Sequence, residues 1–390
     1  MPPEGLTRAQ ALERLEAFLP RAGSAYARDR NIDPGPNDTG HVSKLSPYVR
    51  HRLIGEWELA RAAEKAHGAA ASKFIDEVCW RSYWRGYLEM RPALWASYVD
   101  YLLSDEAETA RQTDTYCAAV SGQTGIDAFD VWTAELITTG YLHNHARMSF
   151  ASIWVHTLRL PWQLGAAFFL EHLLDGDEAA NTLSWRWVAG LHTPGKVYLA
   201  SSEAIDTCSA GRFRPTGLAH TAAPVPMEPP VSLSPLAGPL ATPREPSVLL
   251  ITAEDLGADG FRLGDIRLAG IAAYVSGKAP VGAAIAATAQ TLAEQTDTEV
   301  RLFDTPDELA AAVAAFGAGS LVTSRLPIGT TRTDLLHLLG RMDVPVRLHE
   351  RTRLWDAIAW AAASRGFYAF RPVIAHLMAL TDPGGFQDRL

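Results

Sequence analysis

The sequence predicts a mostly α-helical domain followed by a smaller α/β domain with a parallel sheet. Three observations carry this. Nine of the eleven tryptophans fall between Trp57 and Trp187, inside a stretch (48–210) of long helical periods with few β-branched alternations. Nine prolines and few helix formers occupy residues 215–246, which read as an extended linker or surface strap. From 247 onward, short β-branched runs alternate with helical stretches, as in strands joined by crossover helices. The expected divisions are 1–214, 215–246 and 247–390.

Within the first division, Ala11 to Leu19 has an amphipathic helical period. Residues 20–47 are rich in Pro, Gly, Asn and Asp and read as loop. Within the third, the expected strands are Ser247 to Thr252, Glu299 to Phe303, Leu321 to Thr323 and Val344 to Leu348. Helices are expected near 281–294, 306–316, 331–341, 353–363 and 371–380. Neither G-x-G-x-x-G after a strand nor G-x-x-x-x-G-K-[ST] occurs, so the sequence offers no phosphate-cradling loop of either kind.

A chain of 390 residues that is 47% hydrophobic and 20% charged fills two or three globular cores. No apolar run approaches the roughly 20 residues that span a bilayer. The start, Met1-Pro-Pro-Glu-Gly, lacks a basic region followed by an apolar one, so the cytoplasm is the expected location. Cys79, Cys117 and Cys208 lie far apart, which fits a reducing compartment, and three thiols are too few for a four-cysteine iron–sulfur cluster. The net charge is −9, and residues 1–215 hold 21 basic against 26 acidic side chains. That balance argues against strong non-specific nucleic-acid affinity and leaves room for a local basic groove. No feature specifies an assembly, and a monomer is the default.

Three segments concentrate polar and aromatic residues on helix faces. Glu77, Trp80, Arg81 and Trp84 share one face at i, i+3, i+4 and i+7. Asn144, Arg147 and Met148 fall at i, i+3 and i+4, as do Asn181, Ser184 and Trp185. Buried polar groups need partners, and a large polar heterocycle among the three helices would supply them. Taken alone, Trp80, Trp84 and Met148 read better as core packing, and Asn144 and Asn181 as capping or solvated residues; the joint occurrence is the signal. His143 and His145, two apart, point to different helix sides, so no metal site is expected.

Together these residues resemble the FAD-binding domain of the DNA photolyase/cryptochrome family over roughly residues 24–215. Tyr26 and the run Ser43, Lys44, Leu45, Ser46, Pro47 resemble the family's T-S-x-L-S-P segment, which holds the flavin diphosphate. Glu77, Trp80 and Arg81 resemble E-x-x-W-R. Thr124, Gly125 and Asp127 resemble T-G-x-P-x-x-D, without the proline. Thr139 to Met148 resembles T-G-W-x-H-N-x-x-R-M, with Tyr141 for the tryptophan. Asp175, Asp177 and Asn181 resemble D-G-D-x-A-x-N.

The resemblance implies FAD as cofactor, with Arg147 paired to Asp175 beside the isoalloxazine ring, Asp177 at its polar edge and Asn181 at N5. It implies that Glu77, Trp80, Asn144, Met148 and Trp187 line a pocket for a flipped-out cyclobutane pyrimidine dimer. There the indoles would form flat walls and Glu77, protonated by burial, would stabilise the dimer radical anion. It implies an electron relay through Trp185 and Trp162, with Tyr116 or Tyr101 in place of the missing third tryptophan. Light-driven repair of damaged DNA is the expected function. A cryptochrome-like photoreceptor is the alternative. A basic rim of Arg28, Arg50, Arg52, Arg85, Arg159 and Lys196 would favour the former. The family usually places its α/β domain before the FAD domain, whereas here α/β material follows; Ala318 to Phe370 resembles a permuted counterpart only weakly.

Overall fold

The first helix begins at a capping box: the Thr7 side chain accepts from Gln10 N while the Gln10 side chain accepts from Thr7 N. A computed structural model describes residues 5–36, 41–193, 196–226, 228–236, 238, 243–257, 266–342 and 346–386. The described helices of the first part are α1 (Arg8–Phe18), α2 (Ser24–Asp29), α3 (Ser46–Arg50), α4 (Glu56–His67), α5 (Ser72–Glu89), α6 (Pro92–Leu102), α7 (Asp105–Arg111), α8 (Asp114–Ser121), α9 (Asp127–Thr139), α10 (Asn144–Ser152), α11 (Trp162–His172), α12 (Glu178–Val188) and α13 (Ser202–Cys208). The helical prediction for 48–210 holds. The loop expected over 20–47 contains α2, because Ser24 to Asp29 offers good helix formers between its loop residues.

Residues 247–386 carry a five-stranded parallel sheet, as expected: β1 (Ser247–Ile251), β2 (Leu268–Tyr274), β3 (Val300–Phe303), β4 (Ser320–Ser324) and β5 (Arg347–Arg351), in the order β3-β2-β1-β4-β5. The accompanying helices are α14 (Ala279–Thr296), α15 (Pro306–Ala315), α16 (Thr330–Gly340), α17 (Leu354–Ala362), α18 (Phe367–Phe370) and α19 (Val373–Met378). Strand β2 was not foreseen. Its Leu-Ala-Gly-Ile-Ala-Ala-Tyr run is poor in β-branched residues; parallel pairing with β1 and β3 forms it, and the Phe316 ring lies over Gly270, only 2.4 Å from where a Cβ would sit. Strand β5 begins later than expected; positions 344–345 lie outside the described residues.

Alternation along β1 divides the core. Leu249 and Ile251 join the apolar cluster shared with the helical domain, and Val248 and Leu250 join a second cluster with α15 and α16. The α/β part docks on α5 through α17. Gly86 permits this approach, since a Cβ there would lie 2.5 Å from Trp360 Cα. Beside it, Trp355 Nε1 donates to Ser82 Oγ at 2.9 Å. The Pro-rich segment acts as a strap: Ala223 N donates to His156 Nδ1, Ser234 N donates to Met90 O, and Glu228 pairs with Arg186.

Candidate functional site

The expected face of α5 lies against the start of α12. Asp177 caps α12 by accepting from Ala180 N at 2.9 Å. Its other oxygen accepts from Arg85 at 2.7 Å and lies 3.4 Å from Arg81. Arg81 also reaches Glu56 at 3.1 Å and donates to Arg50 O at 2.7 Å. Burial alone would raise the Asp177 carboxyl; Arg85, Arg81 and Arg50 outweigh it and hold it far below the usual carboxylate range.

This cluster continues into the α/β part. Arg50 grips Glu254 bidentately, at 2.7 Å to each oxygen, and Arg85 adds a contact at 3.2 Å. Next door, Arg353 chelates Asp255 at 2.6 and 2.9 Å, and Arg52 reaches Asp356 at 2.6 Å. Glu254 and Asp255 follow β1, beside β4 at the switch point of the doubly wound sheet, where open α/β sheets usually take ligands. Here that crevice receives the arginines of the helical domain.

A second group forms around Tyr141. Gly140 ends α9 in a left-handed conformation, φ 69°, and turns the chain toward His143. Lys44 and Arg147 both lie over the Tyr141 ring, at 5.2 and 5.5 Å. Arg147 donates to Asp175 at 2.8 Å, and the other Asp175 oxygen is buried without a partner. Lys44, Tyr141, Asp33, Glu135 and His143 line a small cavity of about 10 Å³. Burial, reinforced by Asp33, pushes the Glu135 carboxyl up to about 7, and burial lowers His143 to about 4. Tyr26 packs its ring on Phe18 and Phe74, with Glu77 and Arg30 within electrostatic reach. Ser43 Oγ accepts from Leu45 N just before α3, Leu45 enters the core and Ser46 stays exposed.

The aromatic residues form two braced walls and a row. Phe367 stacks on Trp80 at 3.8 Å and 10°. Trp187 stacks on Tyr198 at 5.8 Å, and Tyr198 meets His145 at 3.4 Å. Asn144 Nδ2 reaches Met148 Sδ at 3.9 Å one turn along α10. Both indoles stay partly exposed. The row is Trp185, Trp154 and Tyr116, with T-shaped contacts of 6.1 and 5.9 Å. Only glycine at 165 allows it, because a Cβ would come within 2.3 Å of the Trp185 ring and 3.0 Å of Trp154. Trp154 sits in a π-helical turn, Ile153–Thr157. Trp162 stacks instead on Tyr98, at 5.8 Å.

Several expectations change. Glu77 lacks the burial expected of it: its side chain is 30% exposed and pairs with Lys73 at 2.8 Å and Arg30 at 3.5 Å. Arg50, Arg52 and Arg85 cannot form a rim, because each is no more than 5% exposed and held by carboxylates. The acid that closes on Thr124 and Gly125 is Asp130, which accepts from both N–H groups at 2.9 Å; Asp127 begins α9. Trp154, Glu254 and Phe367 escaped sequence reasoning. Glu254's signal was its place directly after the central strand; no local spacing marked the other two.

These features describe a helical domain with a buried polar cluster and two aromatic walls. Residues 74–210 match the family model described as the FAD binding domain of DNA photolyase. It is 36% identical over 152 residues to a deoxyribodipyrimidine photo-lyase from Streptomyces griseus, covering 39% of this chain and 33% of the relative. It is 29% identical over 195 residues to the one from Escherichia coli, covering 48% and 40%. The chain thus spans between a third and two fifths of these relatives' lengths. Solved structures similar to it include a class III photolyase from Agrobacterium tumefaciens (TM-score 0.44, 24% identity, covering 52% of this chain and 43% of that one) and a Synechocystis cryptochrome (0.43, 21%, 52% and 43%).

FAD is the cofactor of this domain, and the side chains fit it in kind. The orphaned Asp175 oxygen can accept an N–H, and Asn181, whose amide nitrogen donates to Ala166 O at 2.9 Å, keeps its carbonyl oxygen as an acceptor. The cavity beside Lys44 and Tyr141 is far smaller than the roughly 300–1,000 Å³ of ligand pockets. Among the described residues no helix is long and apolar enough to cross a membrane, and no cluster of three or more His, Cys, Asp or Glu is placed to hold a metal.

Proposed function

We propose that this chain is a light-driven, FAD-dependent enzyme of the cytoplasm that repairs cyclobutane pyrimidine dimers in DNA. The observation that carries this reading is the pair of braced, partly exposed indoles: Trp80 backed by Phe367 and Trp187 backed by Tyr198. Such rigid apolar walls suit stacking of extruded bases, and Asn144 with Met148 would complete the pocket. When bound, FAD supplies light absorption and the electron that opens the cyclobutane ring. Tyr26, Ser43, Lys44, Leu45 and Ser46 would hold its diphosphate end; Arg81, Arg147, Asp175, Asp177 and Asn181 would orient its ring. Glu77, held by Lys73 and Arg30, would position the lesion rather than donate a proton to it. Electrons from an external thiol would pass through Tyr116 and Trp154 to Trp185.

A light-sensing role is the second reading. It is favoured by the Arg50–Glu254–Arg85 seam, which ties the site directly to the α/β part.

Purified protein, reduced and mixed with a thymine-dimer oligonucleotide, tests the choice by restoration of intact thymines. Repair is expected under blue light and not in the dark, and it should fall at least about a hundredfold, roughly 2.7 kcal/mol, in a Glu77→Ala/Trp187→Ala double variant. Absence of repair in protein with bound FAD would transfer the argument to the sensor. Unchanged repair in the double variant would refute the pocket.

A further inference from the structure

We propose that the tip Ser364 to Arg371 of the α/β part is a DNA contact, with Tyr368 stacking on a nucleobase and Arg365 holding a phosphate beside the Trp80 wall. This rests on the repair reading above and adds to it a surface from outside the FAD-binding domain.

The tip is anchored to the helical domain at three points. Arg91, its guanidinium 3.6 Å over the Tyr87 ring, donates to Ser364 O at 2.7 Å. Phe367 stacks on Trp80 and meets Tyr83 edge-on at 5.5 Å. Arg371 pairs with Asp76 at 2.9 Å. Between these anchors two large side chains face water. Tyr368 is 87% exposed and shares in none of the ring contacts found among the described residues. Arg365 is exposed, and no described residue pairs with it. Apolar neighbours of the tip, Phe367 and Phe370, are buried, so an aromatic ring this open gains nothing for the fold.

Chemistry selects the partner. A tyrosine ring on an anchored loop stacks on any nucleobase at small entropic cost. An unpaired guanidinium attracts a phosphate. The segment follows directly from the residue that braces Trp80, so a strand delivering an extruded base to Trp80 would run its flanking nucleotides over Tyr368 and Arg365. A chain of net charge −9 must draw its nucleic-acid affinity from local contacts of this kind.

Both positions are exposed, so their alanine variants keep the fold. The test is dark binding of a thymine-dimer oligonucleotide by the full chain, measured by fluorescence anisotropy across a salt series. Tyr368→Ala should weaken binding about 5- to 100-fold without changing the salt slope. Arg365→Ala should weaken it and make the slope of log K against log salt shallower by about 1. Parent affinity and parent slope in both variants, from a parent that binds and repairs, would overturn this surface alone. A parent that binds no dimer DNA would remove the repair reading, and this surface with it.

Discussion

Glu254→Ala should destabilise the protein by about 3–5 kcal/mol, the usual cost of leaving a buried charge uncompensated. Glu254, Arg50 and Arg85 are each no more than 4% exposed. Arg50 devotes two nitrogens to Glu254 at 2.7 Å, and Arg85 a third at 3.2 Å. Truncation removes one anion from this buried cluster and leaves Arg50 with Glu178 at 3.0 Å and Arg85 with Asp177 at 2.7 Å. Arg85 and Arg50 also fix Asp177, so retention of FAD should fall as well. The check is the denaturation midpoint of the full chain with a flavin assay alongside. Glu254→Gln, which keeps an acceptor, should lose less. A loss under about 1 kcal/mol for the alanine variant, the scale of an exposed pair, would mean that the seam is not what joins the two parts.

Trp154→Phe should slow photoreduction of bound FAD by at least about tenfold, equivalent to roughly 1.4 kcal/mol on the barrier, while Trp162→Phe should keep the parent rate. Trp185 meets Trp154, and Trp154 meets Tyr116, through T-shaped contacts near 6 Å; Trp162 is engaged with Tyr98 and Arg186. Trp154 Nε1 donates to Pro161 O at 2.9 Å, so its ring keeps a fixed orientation. Flavin absorbance under blue light with excess thiol reads the rate. Tyr116→Phe should abolish the tyrosyl signal in electron paramagnetic resonance, and it serves if the buried Trp154 variant does not fold. The opposite ranking, with Trp162 essential and Trp154 dispensable, would restore the relay expected from the sequence.

Much of the fold was legible because helical and strand periods are local. The α14 to α17 spans, β1, β3 and β4 all carry clear periods or β-branched runs, so they fall within a few residues of expectation. Strand β2 was hidden because Gly270 is chosen by the Phe316 ring packed over it, a contact 46 residues away in sequence. Helix α18 is a single turn, too short for any period to show.

The site divides the same way. Faces such as Glu77, Trp80, Arg81 and the Asp177 cap are set by spacing within one helix, and motif order placed Arg147 opposite Asp175. What lay beyond reach were partners supplied across the chain. Arg50 finds Glu254 204 positions away, which turned an expected DNA-facing arginine into a buried tie. Phe367 comes to Trp80 from the α/β part. Glu77 was expected to be buried, yet the residue after α2 supplies Arg30 and the preceding turn of α5 supplies Lys73.

The most direct test of the account is the FAD content of the full chain, reconstituted with excess FAD, freed of unbound flavin and compared by flavin absorbance with protein concentration. The account predicts about one FAD per chain, since a single set of Asp175, Asp177 and Asn181 is present to hold it, and a sharp fall in Asp175→Ala, where Arg147 loses its partner and the site its orphaned acceptor. A folded chain that retains no flavin, or an Asp175→Ala variant that retains as much as the parent, would contradict it.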